Sequence, residues 1–233
     1  MIDRTRVIVA ALLAGVVLPA VLVSGCASKP SAVTEAETKA PEQSAEQTAA
    51  GFPEEDPLYT PEYKPNGQET AVIKTSKGDI TVKFYGTDAP IHVGNFVELV
   101  RKGFYDGTKF HRYVPGFVIQ GGDPATQDAS SEDVAAADGS PNSPYGKGGP
   151  GYQIRGEFDA TANPNQHVEG ALAMARSSNP DSAGSQFYFT LAPTHELDGS
   201  YTVFGIVTEG LDVVKDLRAG DVLESVTLSG TTE

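Results

Sequence analysis

The chain has 233 residues, with 31 Asp and Glu against 17 Lys and Arg, for a formal net charge of −14. That length allows one domain of ordinary size with appended segments, and the negative balance argues against a nucleic-acid partner, which needs a basic footprint. A single cysteine, Cys26, excludes an internal disulfide, while 25 Gly and 16 Pro point to a turn-rich globular body.

Residues 1–25 read as an export signal. Arg4 and Arg6 give a basic start, Val7–Val23 is apolar apart from Gly15 and Pro19, and Ser24-Gly25-Cys26 closes it with small residues. The run is slightly short for a membrane span and holds a proline, so a signal peptide is the better reading. Its end, Leu22-Val23-Ser24-Gly25-Cys26, resembles the bacterial lipobox. That resemblance implies a diacylglyceryl group on Cys26, which becomes the new N-terminus. Two acyl chains would hold the protein stably on a membrane, where one would not. The expected location is the extracytoplasmic side of the cell membrane, lipid-anchored.

Residues 26–67 carry no apolar period and are rich in Ala, Glu, Thr, Ser, Pro and Gln, with acids outnumbering lysines. Such a segment cannot bury enough surface to order itself. It reads as a disordered acidic tether, and a coil of about 40 residues has a root-mean-square span of roughly 35 Å.

The globular domain is expected over 68–233. Thr70–Thr75 and Asp79–Tyr85, joined by Ser76-Lys77-Gly78, form a hairpin signal in which Ile80, Val82 and Phe84 share one face. Asp88 or Thr87 is placed to cap a helix with Pro90 in its first turn. Val93, Phe96, Val97 and Val100 keep the helical period, and Gly103 stops it. Phe110–Gly122 then puts Arg112 and Gln120 on two short apolar runs around Pro115-Gly116, which suit the centre of a type II turn. Alone, this stretch reads either as a surface strand pair with a water-facing Arg or as a pair aiming a guanidinium and an amide at a ligand.

Asp123–Gly151 is polar and without period, and reads as a mobile surface loop. Its Gly146-Lys147-Gly148-Gly149-Pro150-Gly151 formally matches a dinucleotide fingerprint, but no strand precedes it, no helix follows, and a proline interrupts it. Tyr152–Ile154, Gly170–Ala175, Ser185–Thr190, Thr202–Thr208 and Val222–Leu228 are short strand candidates, and Gly210–Arg218 is a second helix. Many short strands and two helices suggest an all-β barrel or sandwich.

Little in the sequence suggests a metal or a nucleophile. His92, His111, His167 and His195 are scattered with no zinc spacing, and no nucleophile elbow occurs. No cofactor is expected. Glu157 and Asp159, two apart in a polar loop, read as solvated carboxylates.

Several motifs in order carry a resemblance. Phe110-His111-Arg112, Pro115-Gly116-Phe117 and Gln120-Gly121-Gly122-Asp123 are followed by Met174-Ala175. Gly184-Ser185-Gln186-Phe187, Leu197-Asp198-Gly199 and Val203-Phe204-Gly205 complete the series. Together they resemble the cyclophilin family of peptidyl-prolyl cis-trans isomerases over roughly 70–228. The resemblance implies a mainly β fold, an eight-stranded antiparallel closed β-barrel capped by two α-helices. It implies Arg112 as the catalytic arginine, with Phe117 and Gln120 counted beside it in the catalytic set. Phe117, Val118, Tyr188 and Leu197 correspond to a proline pocket, and Gln120, Ala175, Arg176 and Gln186 to the groove for the peptide backbone. His111 and Tyr201 stand at the edges. Proline-containing segments of unfolded or flexible proteins are the implied partners, and the protein is expected to act as a monomer.

These residue types fit the reaction. Resonance gives the peptide bond a rotation barrier of about 18–20 kcal/mol. Twisting it returns a lone pair to the prolyl nitrogen, and an Arg donor there would bind the twisted state better than either planar isomer. Gln120 is expected to orient that Arg. Three departures stand out. Glu196 occupies a position where many members carry Trp, which implies weak cyclosporin binding. Tyr188 replaces Phe, so its hydroxyl needs a partner or must point outward. Val118 replaces a bulkier Met. Asp123–Gly151 also looks expanded, and Ser177–Ala183 about one residue longer. A non-catalytic proline-peptide adaptor or holdase of the cell envelope is the alternative reading.

Overall fold

The computed structural model describes residues 57–232. The expected signal peptide, Cys26 and the tether as far as residue 56 lie outside the described residues.

The first hairpin forms as its alternation requires. β1 (Thr70–Thr75) pairs antiparallel with β2 (Gly78–Phe84), burying Ala71, Ile73 and Thr75 opposite Ile80, Val82 and Phe84. α1 (Pro90–Arg101) follows, with Val93, Phe96, Val97 and Leu99 buried. Neither Thr87 nor Asp88 caps it. Glu157, expected to be solvated, does so from a loop far along the chain. Its carboxylate accepts from the Ile91 and His92 backbone N–H groups at 3.0 and 2.9 Å and meets the buried His92 Nδ1 at 2.7 Å. An anion there satisfies orphan donors and complements the helix dipole.

The folded body begins before residue 68. Tyr59 and Tyr63 donate their hydroxyls to Glu98 and Glu69, and the Tyr63 N–H donates to Glu98 at 2.8 Å. Gly94 permits this. A Cβ there would stand 2.8 Å from the Tyr63 carbonyl oxygen, so the glycine that weakens the helix lets 57–67 lie against it. The expected tether therefore ends earlier, because its last stretch carries two tyrosines with partners on α1 and at the residue just before β1.

The remaining strands are β3 (Arg112–Val114), β4 (Val118–Gly121), β5 (Ala171–Met174), β6 (Phe187–Thr190), β7 (Val203–Glu209) and β8 (Leu223–Ser229). Two short helices are α2 (Ser131–Ala136) and α3 (Leu211–Asp216). All eight strands form one antiparallel sheet in the order β3-β4-β6-β5-β7-β2-β1-β8. The expected closed barrel is therefore corrected to an open half-barrel, since no ladder joins the edge strands β3 and β8. The stretch leading into β3 meets the start of β8 and the turn before it, through a bridge between Lys109 and Val222 and backbone hydrogen bonds that join 107–110 to 220–223. Two further expectations change with it. Among the described residues there are three α-helices rather than two, and Tyr152–Ile154 contributes one isolated bridge, Ile154 to Ala183, rather than a strand.

β5 and β6 are buried at every position. Leu172, Met174, Phe187 and Phe189 face the main core with Phe84, Phe96, Tyr105 and Phe204. Ala171, Ala173 and Tyr188 face a second, smaller cluster with Val118 and Val203. Strands covered on both faces read as continuous apolar runs, which is how GALAMA and SQFYFT appear in the sequence.

Candidate active site

The second cluster is the floor of a cleft, and the sheet register explains its composition. Arg112 pairs with Gln120, Gln120 with Tyr188, Tyr188 with Ala173, and Ala173 with Val203. Directly opposed residues in a sheet project to one face. One cross-strand row thus runs from an exposed cation at the sheet edge to an apolar floor. Gly116, at φ +67°, takes the left-handed conformation that a type II turn needs after Pro115, and the Phe117 N–H closes on the Val114 carbonyl at 3.0 Å. That turn brings Phe117 over the row.

The cleft holds about 220 Å³ and is lined by Arg112, Phe117, Val118, Gln120, Ala175, Arg176, Tyr188, Leu197 and Tyr201. Nine of the sequence-predicted residues therefore meet in one place. Gln186 is one step removed. It accepts from Gln120 Nε2 at 2.9 Å and donates its own Nε2 to the Gly148 carbonyl at 2.8 Å. Gln120 was expected to steady Arg112. Among the described residues no hydrogen bond joins the two side chains, because the Gln120 amide turns to Gln186. Arg176 spans the rim, with Nε donating to the Ser200 carbonyl at 2.9 Å and the guanidinium 4.5 Å from the Tyr201 ring centre. Glu196 is exposed and does not line the cleft.

The Tyr188 hydroxyl finds a partner away from the proline side. It lies 3.0 Å from His167 Nε2, and His167 Nδ1 lies 2.7 Å from Asp198 Oδ1. A carboxylate only accepts, so Nδ1 carries the hydrogen, Nε2 accepts, and the tyrosine donates. Asp198 also accepts from the His167 backbone N–H at 2.8 Å and meets His195 Nδ1 at 2.9 Å. Burial pushes the Tyr188 phenol up and the His167 imidazole down, the latter against the pull of Asp198. Burial also raises Asp198, but its hydrogen bonds from His167 and His195 outweigh that and hold it below the ordinary value. The network fastens the 3₁₀ turn His195–Leu197, which carries the Leu197 wall, to the strand beneath it.

His111 lies beside the cleft and is 5% exposed. Burial lowers its pKa, with Asp123 opposing and Arg112 adding to the effect. These two histidines make stability acid-sensitive. Each has a folded pKa below the ordinary 6.5 that unfolding restores, so the unfolded chain binds protons first as pH falls. Their contribution is complete above about pH 6.5 and is lost as pH drops through their folded values. Tm is expected to start falling below about pH 6.5, and His167→Gln to reduce that slope. A Tm profile that is flat until the carboxylates titrate would count against both assignments.

The expected mobile loop is anchored. Asp123, fully buried, accepts from the backbone N–H groups of Ala125, Gly146, Lys147 and Gly148 at 2.5–3.2 Å. The glycine run is thus an anion cradle whose anion is the protein's own carboxylate. His167, Asp123 and Glu157 were missed as site-building residues because their partners lie far along the chain.

A sequence model of the family described as "Cyclophilin type peptidyl-prolyl cis-trans isomerase/CLD" matches residues 70–231. A peptidyl-prolyl cis-trans isomerase of Helicobacter pylori is 39% identical over 183 residues, covering 76% of this chain and 98% of its own. Peptidyl-prolyl cis-trans isomerase B of Bacillus subtilis is 42% identical over 151 residues, 65% of this chain and 91% of its own. A cyclophilin-type isomerase of Cryptosporidium parvum, solved in the presence of the dipeptide Ala-Pro, is 25% identical, with a TM-score of 0.56 over 70% of this chain and 99% of its own. The chain belongs to the cyclophilin family of peptidyl-prolyl cis-trans isomerases. It is an enzyme of that class.

Proposed function

We infer that the chain isomerises X-Pro bonds through Arg112, acting on exported or envelope proteins from a lipid anchor at Cys26. The observation that carries the catalytic reading is the row Arg112–Gln120–Tyr188, which sets a guanidinium beside an apolar pocket. The proline ring lies on Phe117, Val118 and Leu197, with the Tyr188 ring turned toward it and its hydroxyl held by His167. Ala175, Arg176 and Gln186 flank the peptide backbone, and Tyr201 closes one side. Arg112 meets the prolyl nitrogen as the bond twists, an interaction made more strongly in the transition state than in either isomer. No nucleophile is needed, because no bond is broken.

Proline-limited refolding tests the reading. The full chain should accelerate the slow phase over the uncatalysed rate, and Arg112→Ala should abolish most of the gain. Rates no faster than uncatalysed isomerisation would overturn it. The anchor is tested separately. Cys26→Ala should move the protein from the membrane fraction to the soluble fraction, and continued membrane association would refute lipidation at that thiol.

A further inference from the structure

A recess of about 390 Å³ adjoins the proline cleft and shares Gln120, Ala175 and Arg176 with it. One wall is drawn from the run 146–153, the other from 175–177 and 182–186. Asp123 holds one end of the first wall through Gly146, Lys147 and Gly148. Near its other end α1 ties the two walls together. The buried Asn95 accepts from the Tyr152 hydroxyl at 2.8 Å and donates its Nδ2 to the Gly184 carbonyl at 2.7 Å.

That end has a further clamp, and it comes from outside the stretch 70–231 that the family model matches. The Tyr59 N–H donates to the Gln153 carbonyl at 2.8 Å, and the Tyr59 ring centre lies 4.2 Å from that of Tyr152. Aromatic pairs at this separation attract beyond the area they bury. The Tyr59 hydroxyl donates to Glu98 on α1, so the ring is gripped at its far end as well. The residues that follow are fixed independently. Glu98 also accepts the Tyr63 N–H, and the buried Glu69 accepts the Tyr63 hydroxyl and the Asn66 and Gly67 N–H groups. Tyr59 therefore stands on a rigid base and presses on a wall of the recess.

We propose that Tyr59 is a positioning residue of the isomerase, setting through Tyr152 and Gln153 the wall against which client residues beside the X-Pro pair bind. This rests on the isomerase reading of the cleft. Tyr59 lines neither the recess nor the cleft, so it acts only through that wall. Without its ring Tyr152 keeps Asn95 but loses its aromatic neighbour. The wall must then be ordered when a client binds, and that cost falls on ground state and transition state alike. Uniform binding is what is lost, so KM rises while kcat stays. A client too short to reach the recess does not meet the cost.

A capped Ala-Pro dipeptide and Ala-Pro peptides extended on the N-terminal or the C-terminal side would test this on the full chain. NMR exchange between cis and trans peaks at several peptide concentrations separates kcat from KM, and titration gives Kd. Tyr59→Ala should raise KM and Kd about five-fold for the peptide extended on one side, the usual cost of ordering a side chain or two on binding. It should leave kcat, and every value for the dipeptide, within about two-fold. Tyr59→Phe keeps the ring and the backbone N–H and should stay close to wild type. Tyr59→Leu keeps apolar bulk without the aromatic face and should behave like Tyr59→Ala at less risk to folding. Unchanged KM and Kd in both the Ala and Leu variants, or an equal loss on dipeptide and extended peptides, would overturn the proposal. So would a wild-type chain that binds no extended peptide more tightly than the dipeptide. The two readings fail differently. An inactive wild-type chain refutes the isomerase reading, and Tyr59 is then judged by Kd alone. An active chain indifferent to Tyr59→Ala and Tyr59→Leu refutes the positioning role alone.

Discussion

Arg112→Ala is expected to lower kcat/KM for X-Pro isomerisation by about 10²-fold, the usual loss when one preorganised donor to a transition state is removed. Thermal stability should stay within about 1–2 °C. Both expectations come from position. Arg112 is exposed, lies on the three-residue edge strand β3, and its guanidinium makes no hydrogen bond or ion pair among the described residues. Its removal therefore leaves no buried partner unsatisfied. Arg112→Lys keeps the charge but loses the planar fork of donors, so it should recover only part of the rate. NMR exchange spectroscopy on an X-Pro peptide, with a melting curve for each variant, checks both. A drop in Tm matching the loss of rate would mean that Arg112 holds the fold rather than the twisted bond.

The site was legible in the sequence where its parts lie close together. The turn at Pro115-Gly116 fixes the β3–β4 register, so Arg112 and Gln120 face the same way before any other strand is known. Tyr188 and Ala173 join them because β5 and β6 alternate between two buried clusters. What stayed hidden is side-chain chemistry between distant segments. Nothing local says that Glu157 caps α1, that Asp123 gathers the amides of the glycine run, or that His167 receives the Tyr188 hydroxyl. Glu157 read as a solvated carboxylate, His167 as one of four scattered histidines and Asp123 as the end of a motif, and burial with matched partners supplies the actual role. The closed barrel failed for a related reason. Counting strands does not show whether the two edges meet, and β3 has only three residues with which to pair.

Tyr188 shows how a departure from the family can be absorbed. A buried hydroxyl in a proline pocket would cost affinity if it faced the ring unpaired. Here the acceptor-only Asp198 fixes the His167 tautomer, and His167 takes the hydroxyl's hydrogen. The aromatic face remains available while the polar end is occupied, and the same bonds hold the turn carrying Leu197.

Asp123→Ala is the substitution expected to cost most stability, about 3 kcal/mol, because charge-assisted bonds to several backbone N–H groups are lost together. It should cost activity as well. The carboxylate holds Gly146, Lys147 and Gly148, the Gly148 carbonyl accepts from Gln186, and Gln186 accepts from Gln120 in the cleft. Releasing the glycine run therefore frees both glutamines. Asp123→Asn keeps one acceptor oxygen but turns an NH₂ group toward the amides, so it should recover roughly half of the stability. Gly148→Ala should fail from the opposite side, since its Cβ would collide with the Asp123 carboxylate. Urea unfolding and kcat/KM on the same variants check the linkage. A stable Asp123→Ala with normal activity would show that the cradle neither orders the loop nor positions the glutamines. A destabilised variant with normal activity below its unfolding transition would confine its role to the loop.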